Sequence, residues 1–369
     1  MPQRPPLTPL VDTLPSTVPF IGPETLERER GRPFRARLGA NENGFGPSPR
    51  VVEAMREAAP EMWKYGDAPN HDLKQALAAL HGVASDNVVV GEGIDGLLGL
   101  VVRQYAGPGT AVVTSLGAYP TFNYHVAGFG ARLVTVPYAD DKEDLDGLAD
   151  AVRREDARLV YLSNPDNPMG TWWEGEDIAR FIKALPETTM LVLDEAYGET
   201  APPSAIPPLE ADRPNVLRMR TFSKVYGLAG LRCGYCLGEA EAIRAFDKVR
   251  NHFGMTRMAQ AAALAALEDT SHLAWVRAEV ESARRRLAAI AANHGLTTLP
   301  SATNFVTIDC GSDGAYAMRV LQELGQRDVF VRKPMAPGLD RCIRVSVGPT
   351  PEIDVFEAEF GAALEAARD

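Results

Sequence analysis

Cysteine is scarce in this chain, cations are outnumbered, and no apolar run is long. Four cysteines in 369 residues cannot frame a disulfide-stapled fold, which needs dense pairing in a short chain. Two of them, Cys233 and Cys236, form a C-x-x-C. They fall in a segment that reads as a strand, where alternation sends positions three apart to opposite faces. The spacing is therefore taken as coincidence, and no metal or redox site is expected. Lys and Arg number 38 against 49 Asp and Glu, a formal charge of −11. No basic stripe stands out, which argues against a nucleic-acid partner. No uninterrupted apolar stretch approaches a membrane span. The opening Met1-Pro2-Gln3-Arg4-Pro5-Pro6 has no apolar segment behind it, so a signal peptide is not expected and the expected setting is cytoplasmic.

What is present is the composition of a soluble globular enzyme, with 45% hydrophobic and 24% charged residues. The length suffices for two domains. From about 85 to 240, short apolar runs alternate with amphipathic segments. The runs fall at 87–90, 111–114, 132–136, 159–162, 190–193, 216–219 and 233–236. Seven strands with helices between them predict an α/β fold with a mostly parallel, doubly wound sheet, in which ligands bind beyond the carboxyl ends of the strands. Before this lies a turn-rich loop, 38–49, whose Ser48 caps a helix with Pro49 at its first position. After it, residues 239–268 read as helical. A long helix capped by Thr270 or Ser271 then runs to about Asn293. Strands near 304–308, 329–332 and 342–347, with helices near 313–325 and 352–367, complete a smaller α+β domain. The expected division is an arm at 1–36, packing on the small domain or on a dimer partner, a large domain at 37–260 and a small domain at 261–369.

Polar motifs follow the strands. Gly91-Glu92-Gly93-Ile94-Asp95-Gly96 has the spacing of a dinucleotide loop, but no acid suited to a ribose ends the next strand, where Thr114 and Ser115 stand. A glycine-rich helix start offers bare N–H groups to a phosphate in any case. Tyr119, just past the second strand, can stack on a planar ring, or can be a core aromatic. Asn164-Pro165-Asp166-Asn167-Pro168-Met169-Gly170 fixes an amide in a turn. Asp194-Glu195-Ala196-Tyr197 ends a very apolar strand with a carboxylate that needs a partner; a protonated ring nitrogen, an arginine or a helix end would each serve. Thr221-Phe222-Ser223-Lys224, with Arg232 eight positions on, joins hydroxyls and a guanidinium suited to a phosphate to an amine that can attack a carbonyl. Taken together, these groups match pyridoxal phosphate: a phosphate cradle, a stacking aromatic, an amide and a phenol for a hydroxyl, an acid for a ring nitrogen and a Schiff-base lysine.

The ordered set 91–95, 164–170, 194–197, 221–224 and Arg232 resembles the fold-type-I, class I and II aminotransferases. The loop 38–49, with Asn41-Glu42-Asn43 and Gly46-Pro47-Ser48-Pro49, resembles the histidinol-phosphate aminotransferase branch among them. The resemblance covers about 18 to 365. It implies that Lys224 is the catalytic lysine, bound to the cofactor and then moving a proton, and that Asp194 pairs with the pyridinium nitrogen. Asn167 and Tyr197 would bond the ring hydroxyl and Tyr119 would stack on the ring. Ile94, Asp95, Thr221, Ser223 and Arg232 would hold the phosphate. It also implies a homodimer with shared active sites, in which Tyr65 reaches the neighbouring site. Arg344, Arg332 and Asn43 are the implied substrate contacts. The small molecules implied are an amino acid or amino-alcohol phosphate as donor and a 2-oxo acid as acceptor, and the activity is a transamination of histidine biosynthesis. An aromatic amino acid aminotransferase and an amino-acid-phosphate decarboxylase of the same fold share every cofactor residue. Departures from the branch pattern fall at Ile94, at Val18-Pro19-Phe20, at 251–257 with Arg257, and at Trp172-Trp173. They bear on the choice of substrate.

Overall fold

A computed structural model describes residues 4–16 and 20–368; Val18 and Pro19 lie outside the described residues. Strands β1 (Val88–Gly91), β2 (Ala111–Ser115), β3 (Arg132–Val136), β4 (Leu159–Ser163), β5 (Met190–Asp194), β6 (Val216–Thr221) and β7 (Gly234–Leu237) form one sheet in the order β1-β7-β6-β5-β4-β2-β3. All run parallel except β7, which is antiparallel to both β1 and β6. Both faces of the sheet are covered, so the strands read as nearly continuous apolar runs. Alternation still sorts their side chains. Val112, Leu159, Tyr161 and Val192 enter one core with the helices Gly93–Tyr105 and Pro120–Gly128, while Val113, Val160, Leu162 and Leu193 enter another with Leu145–Glu155 and Gly175–Ala184. Cys233 and Cys236 are buried in different cores on opposite faces.

The second unit is an antiparallel sheet of β8 (Phe305–Asp309) and β9 (Cys342–Ser346) with a short strand at Thr297–Thr298. The helix Thr270–Asn293 and the helices Gly314–Gln326 and Thr350–Ala366 pack with it, the last stacking Phe356 on Phe360 at 4.7 Å. The preceding helix, Arg257–Glu268, packs instead on Pro49–Ala58. The N-terminal segment carries two short helices, Pro9–Thr13 and Pro23–Arg30. Leu10 of the first lies beside Gly130 of the large unit, whereas from Ile21 onward the segment meets the second unit, with Arg30 paired to Asp328 and the Ile21 carbonyl accepting from Arg332 at 2.6 Å.

Three sequence expectations are corrected. The stretch 239–268 is not one helix: it breaks between Lys248 and Arg257, where His252 and Phe253 form a turn closed by Gly254 N–H on the Asn251 carbonyl, and Thr256 caps the resumed helix by accepting from Ala259 N–H. The long helix is capped by Asp269 rather than Thr270 or Ser271; its carboxylate accepts from His272 N–H at 3.1 Å and from the Ser48 hydroxyl at 2.6 Å. The strand near 329–332 ends at Phe330, and Arg332 makes only an isolated bridge to Arg344.

Two neighbouring strands are braced by buried charge. Glu195, just past β5, accepts from Arg218 at 2.6 Å and Arg220 at 2.9 Å, both on β6, and Arg220 also reaches Glu199 at 3.1 Å. Removing one member of such a group strands the others away from water. Glu195→Ala should therefore cost about 3–5 kcal/mol of unfolding free energy, read from the denaturant midpoint at constant slope. A loss below about 1 kcal/mol would show that the arginines find other partners.

Candidate active site

The strand ends deliver the chemistry to one place. Ser163, Asp194 and Thr221 close β4, β5 and β6, and the helix Gly93–Tyr105 begins two residues after β1. Their side chains line a cavity of about 240 Å³. Ile94, Asp95, Tyr119, Asn167, Asp194, Tyr197, Thr221, Ser223, Lys224 and Arg232 all face it.

Lys224 lies in the bend after β6. Its Nζ donates to the Asn41 carbonyl at 3.3 Å and stands 5.7 Å from the Tyr197 ring centroid. Burial, then the positive Arg344, pushes its amine down to about 8 from an ordinary 10.5. Asp194 accepts from the Tyr161 hydroxyl at 2.7 Å and from Ala196 N–H at 2.9 Å. Burial holds its carboxyl up, at about 6. Among the described residues no cation lies within ion-pair distance of it.

At the other end, Arg232 donates to Ser223 Oγ at 3.3 Å and approaches Asp95 at 3.5 Å. Asp95 in turn accepts from Tyr119 Oη at 2.7 Å. Gly93 has φ +75°, and a Cβ there would stand 2.5 Å from Arg232 Nη2. Glycine is thus what lets the guanidinium approach the start of the helix. That helix start, Ser223, Thr221 and Arg232 make an anion cradle.

Four anticipated residues lie outside the cavity lining. Arg344 is half-buried on β9; it donates to Asn167 Oδ1 and, at 3.3 Å, to the Gly39 carbonyl, and its Nε has no partner among the described residues. Arg332 is engaged by Ile21 of the arm. Tyr65 is 76% exposed and packs on Phe253 at 4.9 Å, with Trp63 exposed beside it. The Asn43 amide donates to the Val225 carbonyl at 2.9 Å and accepts from Phe45 N–H at 3.1 Å, so it braces the lysine bend. Arg257 donates to the Tyr65 carbonyl at 2.9 Å. Trp172 donates to Glu174 at 3.0 Å and Trp173 to the Glu143 carbonyl at 2.9 Å; neither lines the cavity.

Sequence reasoning missed Asn41, Tyr161, Ser163 and Glu42. Asn41 has φ +55° and bonds Tyr197 Oη at 3.0 Å. Its only sequence signal is its place in the 38–49 loop, two positions before Asn43. Tyr161, inside an apolar strand, was legible as the one hydroxyl in that run.

Residues 36–357 match the family model described as aminotransferase class I and II. A Mesorhizobium japonicum protein named histidinol-phosphate aminotransferase 1 is 38% identical over 346 residues, covering 91% of this chain and 92% of that one. An Anaeromyxobacter histidinol-phosphate aminotransferase is 37% identical, covering 97% and 99%. The crystal structure of histidinol-phosphate aminotransferase from Sinorhizobium meliloti in complex with pyridoxal-5'-phosphate superposes with a TM-score of 0.95 at 56% identity, covering 98% of each chain.

Burial disfavours the ammonium of Lys224, so its nucleophilic form prevails at lower pH than for an exposed lysine. In the cofactor-free protein, borohydride trapping of a small aldehyde at Lys224, followed by peptide mass spectrometry, should rise about tenfold per pH unit up to a plateau near pH 8. A rate still climbing toward pH 10 would show an unperturbed amine.

Proposed function

This chain belongs to the class I and II aminotransferases, and from that premise we propose that it is a pyridoxal-phosphate transaminase taking histidinol phosphate as donor and a 2-oxo acid as acceptor. The observation that carries the cofactor is Asp194: a buried carboxylate facing the cavity with only neutral donors on it. A protonated ring nitrogen supplies the missing cation. The anion cradle around Gly93, Ser223 and Arg232 fits the phosphate, and Lys224 fits the carbonyl.

When bound, pyridoxal phosphate supplies an electron sink and a carbon that carries the amino group between half-reactions. The side chains do the rest. Asp194 would keep a proton on the ring nitrogen. Tyr119 would cover a ring face, and Asn167 and Tyr197 would bond the ring hydroxyl. Ile94 adds no hydroxyl to the cradle, so the phosphate rests on the N–H groups at Ile94 and Asp95 and on Thr221, Ser223 and Arg232. Lys224 would be the group that moves the proton at the substrate α-carbon; its lowered pKa suits it to do so near neutrality. Arg344 clamps the anionic end of the substrate by its planar fork, and Arg332, with the arm's Ile21 on it, offers a second cation. The names of the relatives support the donor.

A homodimer is part of this proposal. Met62, Trp63, Tyr65 and Phe253 form an exposed apolar patch, which a second copy would cover while receiving Tyr65 at its own site. Among the described residues no helix is long and apolar enough to cross a membrane; a cytoplasmic setting is proposed from the same relatives.

The test is a half-transamination screen. The holoenzyme should show a visible lysine-bound band that histidinol phosphate bleaches, and Lys224→Ala should lose both band and turnover. Full transamination by the alanine variant would sink the assignment. Bleaching by phenylalanine or tyrosine alone would make the enzyme an aromatic aminotransferase, and carbon dioxide release without an acceptor would make it a decarboxylase.

A further inference from the structure

Besides the Arg344–Asn167 contact, the small unit reaches the reaction cavity through a hydrogen-bonded chain with a defined direction. Ser346, on β9, and Asn41 are each 2% exposed, so water does not complete their bonds. The Asn41 N–H donates to Ser346 Oγ at 2.9 Å. That hydroxyl is thus an acceptor from the backbone, and its one proton goes to Asn41 Oδ1, also at 2.9 Å. The carboxamide is thereby held with its oxygen toward Ser346 and its NH2 toward Tyr197, whose Oη it meets at 3.0 Å. Tyr197 Oη makes no other hydrogen bond among the described residues, and the ring lines the cavity. With its oxygen occupied as acceptor, the phenol has its own proton left to donate, and the cavity is the open direction. The reverse amide orientation would aim Asn41 Oδ1 at the phenol and take that proton, while setting a second donor against Ser346. The Asn41 carbonyl meanwhile accepts from Lys224 Nζ at 3.3 Å and from Asn304 Nδ2 at 3.0 Å, so the same residue also touches the amine.

We propose that Ser346, acting through Asn41, is a positioning residue that sets the direction of the Tyr197 hydrogen bond and so tunes the cofactor-bound state of Lys224. The proposal rests on the cofactor assignment above, in which Tyr197 donates to the ring hydroxyl oxygen. A donor at that oxygen competes with a proton shared with the lysine-bound nitrogen. Losing the donor therefore raises the pH at which the visible band titrates.

The test is a spectrophotometric pH titration of the holoenzyme and variants. Tyr197→Phe should raise the midpoint by about one pH unit, the worth of one hydrogen bond. Ser346→Ala should move it the same way by a sizeable part of that, and Ser346→Thr, which keeps the hydroxyl, should restore the wild-type value. The Ser346→Ala/Tyr197→Phe double variant should titrate with Tyr197→Phe alone, since both act on one bond. Asn41→Asp, whose carboxylate accepts from both neighbours, should raise the midpoint at least as far as Ser346→Ala, and it decides the matter if Ser346→Ala does not fold. A wild-type midpoint in Ser346→Ala or Asn41→Asp, or a shift that adds fully to that of Tyr197→Phe, would overturn the proposal even where stability falls. Absence of any visible band in the wild type would overturn the cofactor assignment itself.

Discussion

An amine and a carboxylate taken out of water into one cavity set the terms for this structure. Each is costly to bury alone, and the costs appear as opposite shifts: the Lys224 amine falls to about 8 and the Asp194 carboxyl rises to about 6. They do not quench each other, because each has its own neutral hydrogen-bond partners: the Asn41 carbonyl for the amine, and the Tyr161 hydroxyl and Ala196 N–H for the acid. Both are left with interactions to offer a ligand that carries a carbonyl and a basic ring nitrogen. That unpaired state needs a frame stiff enough to hold it, since collapse into a direct ion pair would remove the chemistry.

The parallel sheet is that frame. β5 and β6 are adjacent, so Asp194 and Thr221 end at the same edge of the sheet, and the neighbouring Glu195, Arg218, Arg220 and Glu199 pair mainly with one another. The charges that brace the strands are thus kept apart from the charges that do the work. The antiparallel β7 brings the chain back beside β6, which places Arg232 close to Ser223 and to the start of the Gly93 helix.

This explains which parts were legible. The seven strand positions and the helices from 270 onward follow from apolar periodicity, because core burial on both faces of a sheet leaves little else a sequence can write there. The residues at the strand ends were legible because Asp194, Lys224 and Arg232 are out of place in apolar surroundings and need a reason. What was not legible lies where long-range geometry chooses between equals. Asn41 and Asn43 are the same residue type two positions apart; only the approach of Ser346 and Tyr197 on one side, and of Val225 on the other, assigns them different tasks. Asp269, Thr270 and Ser271 are all good caps, and the contact with Ser48 selects the first. The interruption at 249–256 has one glycine to announce it, and its turns are fixed by packing against residues 65–68.

The same division bears on substrate choice. Every residue assigned to the cofactor except Tyr65 belongs to the large sheet or its loops, whereas Arg344, Arg332 and the arm that holds Arg332 belong to the second unit. Arg344 nonetheless donates to Asn167, and Ser346, two residues along the same strand, governs Asn41. Positions two apart on a strand share a face, so Arg344 and Ser346 reach Asn167 and Asn41, respectively, from the same side of β9. In this arrangement recognition and chemistry are separated by unit but joined by one strand. Changes in specificity can accumulate in the arm and around Arg332 without touching the sheet, while changes on the Arg344–Ser346 face alter both at once.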